Sequence, residues 1–279
     1  MHTAPGLANP TLQDVSDILI SHWHHDHIGG TLPVLKLLKE LWVARNPGLP
    51  YSPPRLHKYP ASGSDPTPPK DLAELPRDLY LPAPSGNVFH DLQDGQAFRD
   101  SDGTTLIRVL HTPGHTVDSI ALHLPTEKAL YTADTVIGYG STVFEDLSSY
   151  LASLKRLLEL GSDADYDVLY PGHGPVVEQG RETISQYIQH RLEREKEILR
   201  VLRSPVPPEW LGDSTDGLWT TWNIVRVIYK DYPENLWLPA CGSVDLHLWK
   251  LQRDGIVSYI GGEGPEKKWT VIQASTNLY

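Results

Sequence analysis

The sequence is poor in cysteine, in long apolar runs and in positive charge, and each shortage excludes a class of protein. A single cysteine, Cys241, excludes internal disulfides and a thiolate metal cluster, which suits a reducing compartment. No apolar run approaches the ~20 residues that a bilayer-spanning helix requires. With 24 Lys and Arg against 35 Asp and Glu, the net charge of −11 argues against a broad nucleic-acid-binding surface. We therefore expect a soluble globular protein.

The N-terminal segment and the chain length bear on compartment and domain count. MHTAPGLANP shows neither a secretory signal nor an Arg-rich transit pattern, so we expect a cytoplasmic protein without a membrane partner. A chain of 279 residues is long enough for one large domain and one small one. Pro205-Val-Pro-Pro208 is the best linker candidate, which predicts domains over residues 1–204 and 205–279.

Short apolar runs alternate with amphipathic segments along the chain. Strands are predicted at 15–20, 105–110, 119–124, 129–133 and 168–170, and helices over 31–44, 144–158 and 180–202. The last of these helices carries Ile184, Ile188, Arg191, Ile198 and Leu202 on one side. Helix-like stretches at 219–231 and 243–254 then precede strand-like runs at 255–260 and 268–272, an order that resembles a winged-helix module.

Residues 46–87 differ from the rest of the chain in composition. They contain eleven of the 24 prolines and show little hydrophobic periodicity. This pattern predicts a surface insertion that lies outside the core.

Histidine and aspartate side chains cluster where predicted strands end. Four stand in one loop and three follow later strands: His22, His24, Asp26 and His27 in HWHHDH, His115 in HTPGH, Asp134 in YTAD and His173 in PGHG. His22 and His24 lie two apart at the end of an extended run, so their rings point the same way. Zinc favours imidazole nitrogen and carboxylate oxygen, and two adjacent ions need about six protein ligands and a shared water. The pattern predicts a binuclear zinc site.

These motifs carry a family resemblance. HWHHDH is similar to the HxHxDH signature of the metallo-β-lactamase superfamily, and TPGHT, TAD and YPGHGP resemble its later ligand motifs in the same order. The resemblance implies an α/β fold, a four-layer αβ/βα sandwich with the metals at one edge, followed by a winged-helix-like module. It implies two Zn²⁺ ions per chain, the first held by His22, His24 and His115, the second by Asp26, His27 and His173, with Asp134 as the bridge. Asp26 is also assigned the catalytic role of orienting or shuttling a proton of the attacking water.

A narrower resemblance suggests a substrate. STVFEDLSSYLASLKRLL, the run from YPGHGPVV through QYIQHRLEREKEIL, and KKW resemble the β-lactamase-like protein 2 (glyoxalase II-like) family. It implies an endoribonuclease that cleaves a phosphodiester of single-stranded RNA by metal-activated water, and it admits a mitochondrial location. It also implies roughly sixty residues of β-sheet before the HxHxDH loop, where 21 stand here. Either the sequence is a truncated gene model or the protein lacks the first strands of its sheet, which would expose a sheet edge.

Other functions stay open on the sequence. Lactamase-like thioesterases that release polyketides from acyl carrier proteins use the same metal chemistry on a thioester, and they commonly carry alanine where this chain has Gly172. Glyoxalase II-like thioester hydrolysis is a third alternative, and an inactive binding protein with fewer than two metal ions is a fourth. The net charge and the lack of an interleaved basic and aromatic stripe weigh against RNA, whereas Gly172 favours the nuclease-like branch.

Two features beside the ligand motifs admit two interpretations each. Asp118, three residues after His115, is either an outer hydrogen-bond partner of an imidazole or an ordinary turn residue. Tyr139 and residues 142–146 either line a substrate cleft or lead into a helix that Thr142 caps.

Overall fold

The computed structural model describes residues 13–60, 72, 75–100, 103–160, 166–210 and 216–272. A first sheet holds three parallel strands, β1 (Asp17–Ile20), β2 (Arg55–Lys58) and β3 (Phe89–Asp91). A second sheet has the order β4 (Ala97–Arg99), β5 (Leu106–His111), β6 (Ile120–Leu124), β7 (Ala129–Ala133) and β8 (Val168–Pro171), antiparallel except for its last pair. The helices of this part are α1 (His25–Ile28), α2 (Thr31–Arg45), α3 (Leu147–Glu159) and α4 (Gly180–Leu202).

Alternation along the strands produces the layers. Successive strand residues face opposite sides of a sheet. Leu19 of β1 and Val109 of β5 belong to the cluster between the two sheets. Ile20 of β1 instead packs with helix α2, and Leu110 of β5 packs with α3 and α4. The order is therefore α2, first sheet, second sheet, then α3 and α4, which confirms the expected four-layer fold.

Strand β2 corrects the prediction that residues 46–87 lie outside the core. It is the middle strand of the first sheet, and Leu56 within it is fully buried. Leu79 and Tyr80 join the same apolar cluster. The prolines near β2 stand before and after the strand, where a missing N–H costs no ladder hydrogen bond. The prolines lie at the ends of β2, and their number in this region hid the short strand between them from the sequence prediction.

Helix α3 begins at a side-chain cap. Asp146 accepts a hydrogen bond from the backbone N–H of Ser149 at 2.7 Å. The interpretation of Thr142 as the cap is therefore wrong, since the helix begins later. Leu147, Leu151 and Leu154 of α3 are buried at the predicted spacings of three and four residues.

The chain beyond α4 forms a small module with its own sheet. Its elements are β9 (Trp219–Thr220), α5 (Thr221–Ile228), α6 (Trp237–Arg253), β10 (Val257–Gly261) and β11 (Lys268–Val271), the strands pairing antiparallel in the order β10-β11-β9. Helix α6 begins six residues before the predicted stretch and includes Pro239. This proline lies in the first turn, where a missing N–H breaks no hydrogen bond of the helix. Cys241 is buried on this helix.

Helix α4 is shared between the two parts of the chain. Ile184 near its start packs against the second sheet, whereas Ile198 and Val201 near its end pack with Val244 and Trp269 of the small module. A domain boundary between residues 204 and 205 stays a prediction. Within the described part of the chain, none of the helices is both long and apolar enough to cross a bilayer.

Candidate metal centre

All seven predicted ligand side chains converge at one edge of the two sheets. They form two groups whose ligand atoms lie within 4.8 Å of one another: His22, His24, His115 and Asp134 in one, Asp26, His27 and His173 in the other. His22 follows β1, Asp134 follows β7 and His173 follows β8, so strand ends from both sheets deliver them. Helix α1 supplies Asp26 and His27.

Three imidazoles of the first group face one point. His115 Nε2 lies 3.2 Å from His22 Nε2 and 3.0 Å from His24 Nδ1. His22 Nε2 lies 3.0 Å from His24 Nδ1. The other nitrogen of His115, Nδ1, is 2.8 Å from the carbonyl oxygen of Val143, so Nδ1–H donates there and Nε2 keeps its lone pair. This is the arrangement that a ligating histidine needs.

Asp134 lies between the two groups. Its Oδ1 is 3.2 Å from His27 Nε2, and its Oδ2 is 3.6 Å from His115 Nε2 and 3.4 Å from His173 Nε2. In the second group His173 Nε2 is also 3.0 Å from Asp26 Oδ2 and 3.3 Å from His27 Nε2. One carboxylate therefore contacts both groups, as a bridging ligand must.

The electrostatics favour the metal-binding forms of His22, His24 and Asp134, whereas Asp134 outweighs burial and raises the pKa of His27, so a cation there must displace a proton. Burial, assisted by the nearby His27 and His115 rings, lowers the pKa of His22 to about 2. Burial also lowers the pKa of His24. Burial alone would raise the pKa of Asp134, but the adjacent His27 imidazole outweighs it and holds that pKa below its ordinary value. Neutral imidazoles and ionised carboxylates are the ligand forms that cations require.

The residues present fit a pair of cations. Among the described residues Asp134 Oδ1 is buried and has no hydrogen-bond partner, His27 Nε2 being near it but outside hydrogen-bond geometry. Such an orphaned carboxylate oxygen is costly unless a cation occupies the space beside it. Gly172 keeps that space open, because a Cβ there would stand 2.5 Å from Asp134 Oδ1 and 2.7 Å from His27 Cε1. The mixture of imidazole and carboxylate donors is one that zinc prefers.

Contacts around the ligands include some that the sequence did not indicate. Ser21 Oγ lies 3.2 Å from His22 Nδ1 and 3.0 Å from His27 Nδ1, so one hydroxyl orients a ring in each group. A serine preceding a histidine is too common to signal this role. Asp118 is buried, accepts a hydrogen bond from Thr116 Oγ1 at 2.7 Å and pairs with Lys58 at 3.0 Å, so it braces the turn after His115.

Exposed apolar side chains lie beside the ligand loops, Val143 next to His115, and Tyr139 and Val176 next to the loop of His173. Val143, Tyr139 and Val176 are 72%, 65% and 51% exposed. Tyr139 and Val176 also line an open groove of about 510 Å³. The groove adjoins the ligand loop, since the Gly138 N–H donates to the carbonyl oxygen of His173 at 2.8 Å.

Comparisons with known proteins agree with this geometry. Residues 4–173 match the metallo-beta-lactamase superfamily, and residues 220–269 match the beta-lactamase associated winged helix domain. The chain is 34% identical to the beta-lactamase-like protein 2 homolog of Drosophila melanogaster, over 86% of this chain and 70% of that protein. It is 32% identical to the lactamase-like protein vrtG of Penicillium aethiopicum, over 90% and 68% of the two chains. A solved metallo-beta-lactamase family protein from Thermus thermophilus shares the fold, with a TM-score of 0.59, 21% identity and coverage of 93% of this chain and 81% of that one.

Proposed function

This chain belongs to the metallo-β-lactamase superfamily, whose members are in general metal-dependent hydrolases, and we propose that it is a binuclear zinc hydrolase. The observation that carries the proposal is the position of Asp134, which contacts ligand groups on both sides and makes the seven side chains one site. His22, His24 and His115 would hold one ion, and Asp26, His27 and His173 the other. Two zinc ions bound there would lower the pKa of a shared water from ~15.7 to around 7 and polarise the bond to be cleaved.

The exposure of the ligands supports a direction of attack. The side chains of His115 and His27 are 2% and 7% exposed, whereas those of His173 and Asp26 are 41% and 57% exposed. Substrate would therefore enter on the side of Asp26 and His173. Asp26 Oδ2 lies 3.0 Å from His173 Nε2, and its carboxylate is open to solvent, so it is placed to hold and pass on a proton of the attacking water.

Among substrates we propose single-stranded RNA first. The relatives named beta-lactamase-like protein 2 homolog in Drosophila melanogaster and Caenorhabditis elegans are 34% and 32% identical to this chain. Gly172 supports the same branch, because the family resemblance implies alanine at this position in the thioesterases. In this chain a Cβ there would lie 2.5 Å from Asp134 Oδ1 and 2.7 Å from His27 Cε1. The winged-helix module would help to hold the strand.

An acyl thioester, free or on an acyl carrier protein, is the second candidate. The exposed apolar side chains of Tyr139, Val143 and Val176 suit an acyl or aromatic group better than a phosphate backbone. The net charge of −11 also repels a polyanion at long range.

One experiment separates these candidates. Zinc-loaded protein is assayed for cleavage of a fluorophore-labelled single-stranded RNA and for hydrolysis of acyl N-acetylcysteamine thioesters, with metal content measured on the same samples. Asp26→Ala is the active-site control. Asp78→Ala is the matched control, because Asp78 is an exposed aspartate that pairs with Lys39 of helix α2.

Each outcome has one meaning. RNA cleavage that is lost in Asp26→Ala and kept in Asp78→Ala supports the nuclease. Thioester turnover with the same dependence moves the protein to the thioesterases. Fewer than two zinc ions per wild-type chain would refute the binuclear site and support a binding protein without catalysis. Two zinc ions with neither activity would refute both substrates.

A further inference from the structure

The hydrogen bond that orients His115 comes from a short segment far from it in sequence. His115 Nδ1 is 2.8 Å from the Val143 carbonyl oxygen and 3.4 Å from Thr142 Oγ1. We call residues 142–146 the support segment. Because a ligating imidazole is aimed by the group that its second nitrogen contacts, the position of this segment sets where His115 Nε2 points.

The support segment is also tied to the loop that carries His115. The N–H groups of Glu145 and Asp146 both donate to the carbonyl oxygen of Gly114, at 2.7 and 3.1 Å. A displacement of the segment therefore moves the backbone next to the ligand as well as the ring.

Arg191 of helix α4 contacts the support segment at the two residues on either side of Val143. Its side chain is buried, and Nη2 donates to the carbonyl oxygen of Thr142 at 2.8 Å. Its guanidinium carbon lies 4.8 Å from the ring centre of Phe144. A planar guanidinium can stack on a ring and donate to a carbonyl at once, which an ammonium cannot reproduce. We propose that Arg191 is a positioning residue for the metal centre, which holds the support segment so that His115 Nε2 faces the first ligand group.

The small C-terminal module packs against Arg191 and the support segment. The His247 ring of helix α6 is buried and meets the Phe144 ring edge-on at 5.9 Å between centres. Arg253 of the same helix pairs with Asp146 at 2.6 Å. One turn beyond Arg191, Glu195 pairs with Lys250 of α6 at 2.9 Å. The winged-helix module thus forms part of the support of a proposed metal ligand. Burial strengthens the contact between Glu195 and Lys250, whereas the more exposed pair of Arg253 and Asp146 contributes less.

The inference rests on the proposed metal centre and makes a selective prediction. His115 belongs to the first ligand group, while Asp26, His27 and His173 form the second. Loss of an outer hydrogen bond to a metal ligand typically lowers metal affinity about 10-fold to 100-fold. Because Arg191 acts on the Val143 carbonyl only through Thr142 and Phe144, we expect a loss at the lower end of that range, about 10-fold, for one of the two zinc ions, with the other ion held as in the wild type.

The test compares two arginines of one helix. Arg191→Met keeps the aliphatic part of the side chain but removes the guanidinium, and with it the donors and the stacking plane. Arg194→Met is the matched control, since Arg194 lies on the same helix and contacts Tyr229 and Glu197 instead of the support segment. Stepwise zinc dissociation constants are measured by competition with a chromophoric chelator, and the spectrum of the Co²⁺-loaded protein reports ligand geometry. Melting temperatures of the metal-free proteins separate loss of stability from loss of binding.

Selective weakening of one ion in Arg191→Met, with a changed Co²⁺ spectrum and wild-type behaviour in Arg194→Met, supports the inference. Wild-type affinity for both ions in Arg191→Met, or an equal loss in Arg194→Met, overturns it while the proposed function stands. Fewer than two ions in the wild type overturns the proposed function and this inference with it. If Arg191→Met does not fold, Arg191→Gln replaces it, since the shorter amide remains polar but lacks the reach and the stacking plane of the guanidinium.

Discussion

Replacing Gly172 with alanine is the smallest change that would reach both halves of the metal centre. The new Cβ would lie 2.5 Å from Asp134 Oδ1, 2.7 Å from His27 Cε1 and 3.3 Å from the carbonyl carbon of Ala133. The Gly172 N–H donates to the Ala133 carbonyl oxygen at 2.8 Å, so the backbone is held against this crowding. The φ of Gly172 lies outside the left-handed region, so the perturbation is steric contact with two ligands and adds no backbone strain.

The size of the effect follows from these distances. Ordinary van der Waals contact begins near 3.4 Å. The Asp134 carboxylate must therefore retreat by roughly 0.9 Å and the His27 ring by roughly 0.7 Å, or the loop must shift by as much. Misplacement of reacting groups by about 1 Å costs on the order of 100-fold in rate, which corresponds to about 2.7 kcal/mol of transition-state stabilisation. Overpacking adds about 1–3 kcal/mol of lost stability.

The assay measures zinc content and the rate of hydrolysis of whichever substrate the wild type accepts. Gly30→Ala is the control, because Gly30 has a φ of −75° and open space where its Cβ would stand. We expect Gly172→Ala to lose about 100-fold in rate and to bind zinc more weakly, with Gly30→Ala close to the wild type. A Gly172→Ala protein with two zinc ions and a rate within about threefold of the wild type would refute the steric reasoning. It would also remove Gly172 from the reasons to prefer RNA over a thioester.

Three further predictions concern stability. Removing metal with EDTA should lower the melting temperature and zinc should restore it, because ligand at 100 times its dissociation constant contributes about 2.7 kcal/mol per site; an unchanged melting temperature contradicts a metal centre. Burial would raise the pKa of Asp17, but Arg55 at 2.7 Å, together with Ser16 and His57, outweighs burial and lowers that pKa. The ionised Asp17 therefore stabilises the folded state fully above the ordinary pKa of 3.8, and this contribution is lost as pH falls through the folded pKa. The unfolding free energy of Asp17→Asn should therefore approach that of the wild type below about pH 4, and a gap that is constant with pH in urea titrations contradicts the pairing. Leu154→Ala, which opens a cavity in the core against helix α3, should cost about 2–5 kcal/mol in urea unfolding, and a cost below about 1 kcal/mol would show that the site is not packed as described.

Local sequence was sufficient to predict the convergence of the seven candidate ligands. HWHHDH follows β1, and Asp134 and His173 follow β7 and β8, which pair in parallel and so end at the same edge of the second sheet. The hydrogen bond from the Ile120 N–H to the Ser21 carbonyl oxygen, at 3.0 Å, ties that edge to the end of β1. Strands of predictable length therefore bring their terminal residues together without any detail of packing.

Tertiary partners decided what the sequence concealed. β2 is four residues long and lies among prolines, and it is a strand because β1 and β3 pair with it on both sides. A window wide enough to detect periodicity averages such a strand with its flanks. Its burial comes from neighbours rather than from any local propensity.

The residue that supports His115, Arg191, occupies an unusual position in the sequence of its helix. Arg191 lies on the same side of helix α4 as the buried residues Ile184 and Ile198. A charged side chain buried at such a position is costly unless polar groups of the protein pair with it. The sequence placed Arg191 on this stripe but did not lead to a prediction that its side chain is buried. Nor did it indicate the acceptor, because the Thr142 carbonyl stands 49 residues earlier in the chain and reaches Arg191 only once α3 and α4 pack on the second sheet. The ligand motifs themselves do not show how the candidate metal centre is linked to the winged-helix module. A charged residue on the apolar side of a helix is the sequence feature that points to such a link.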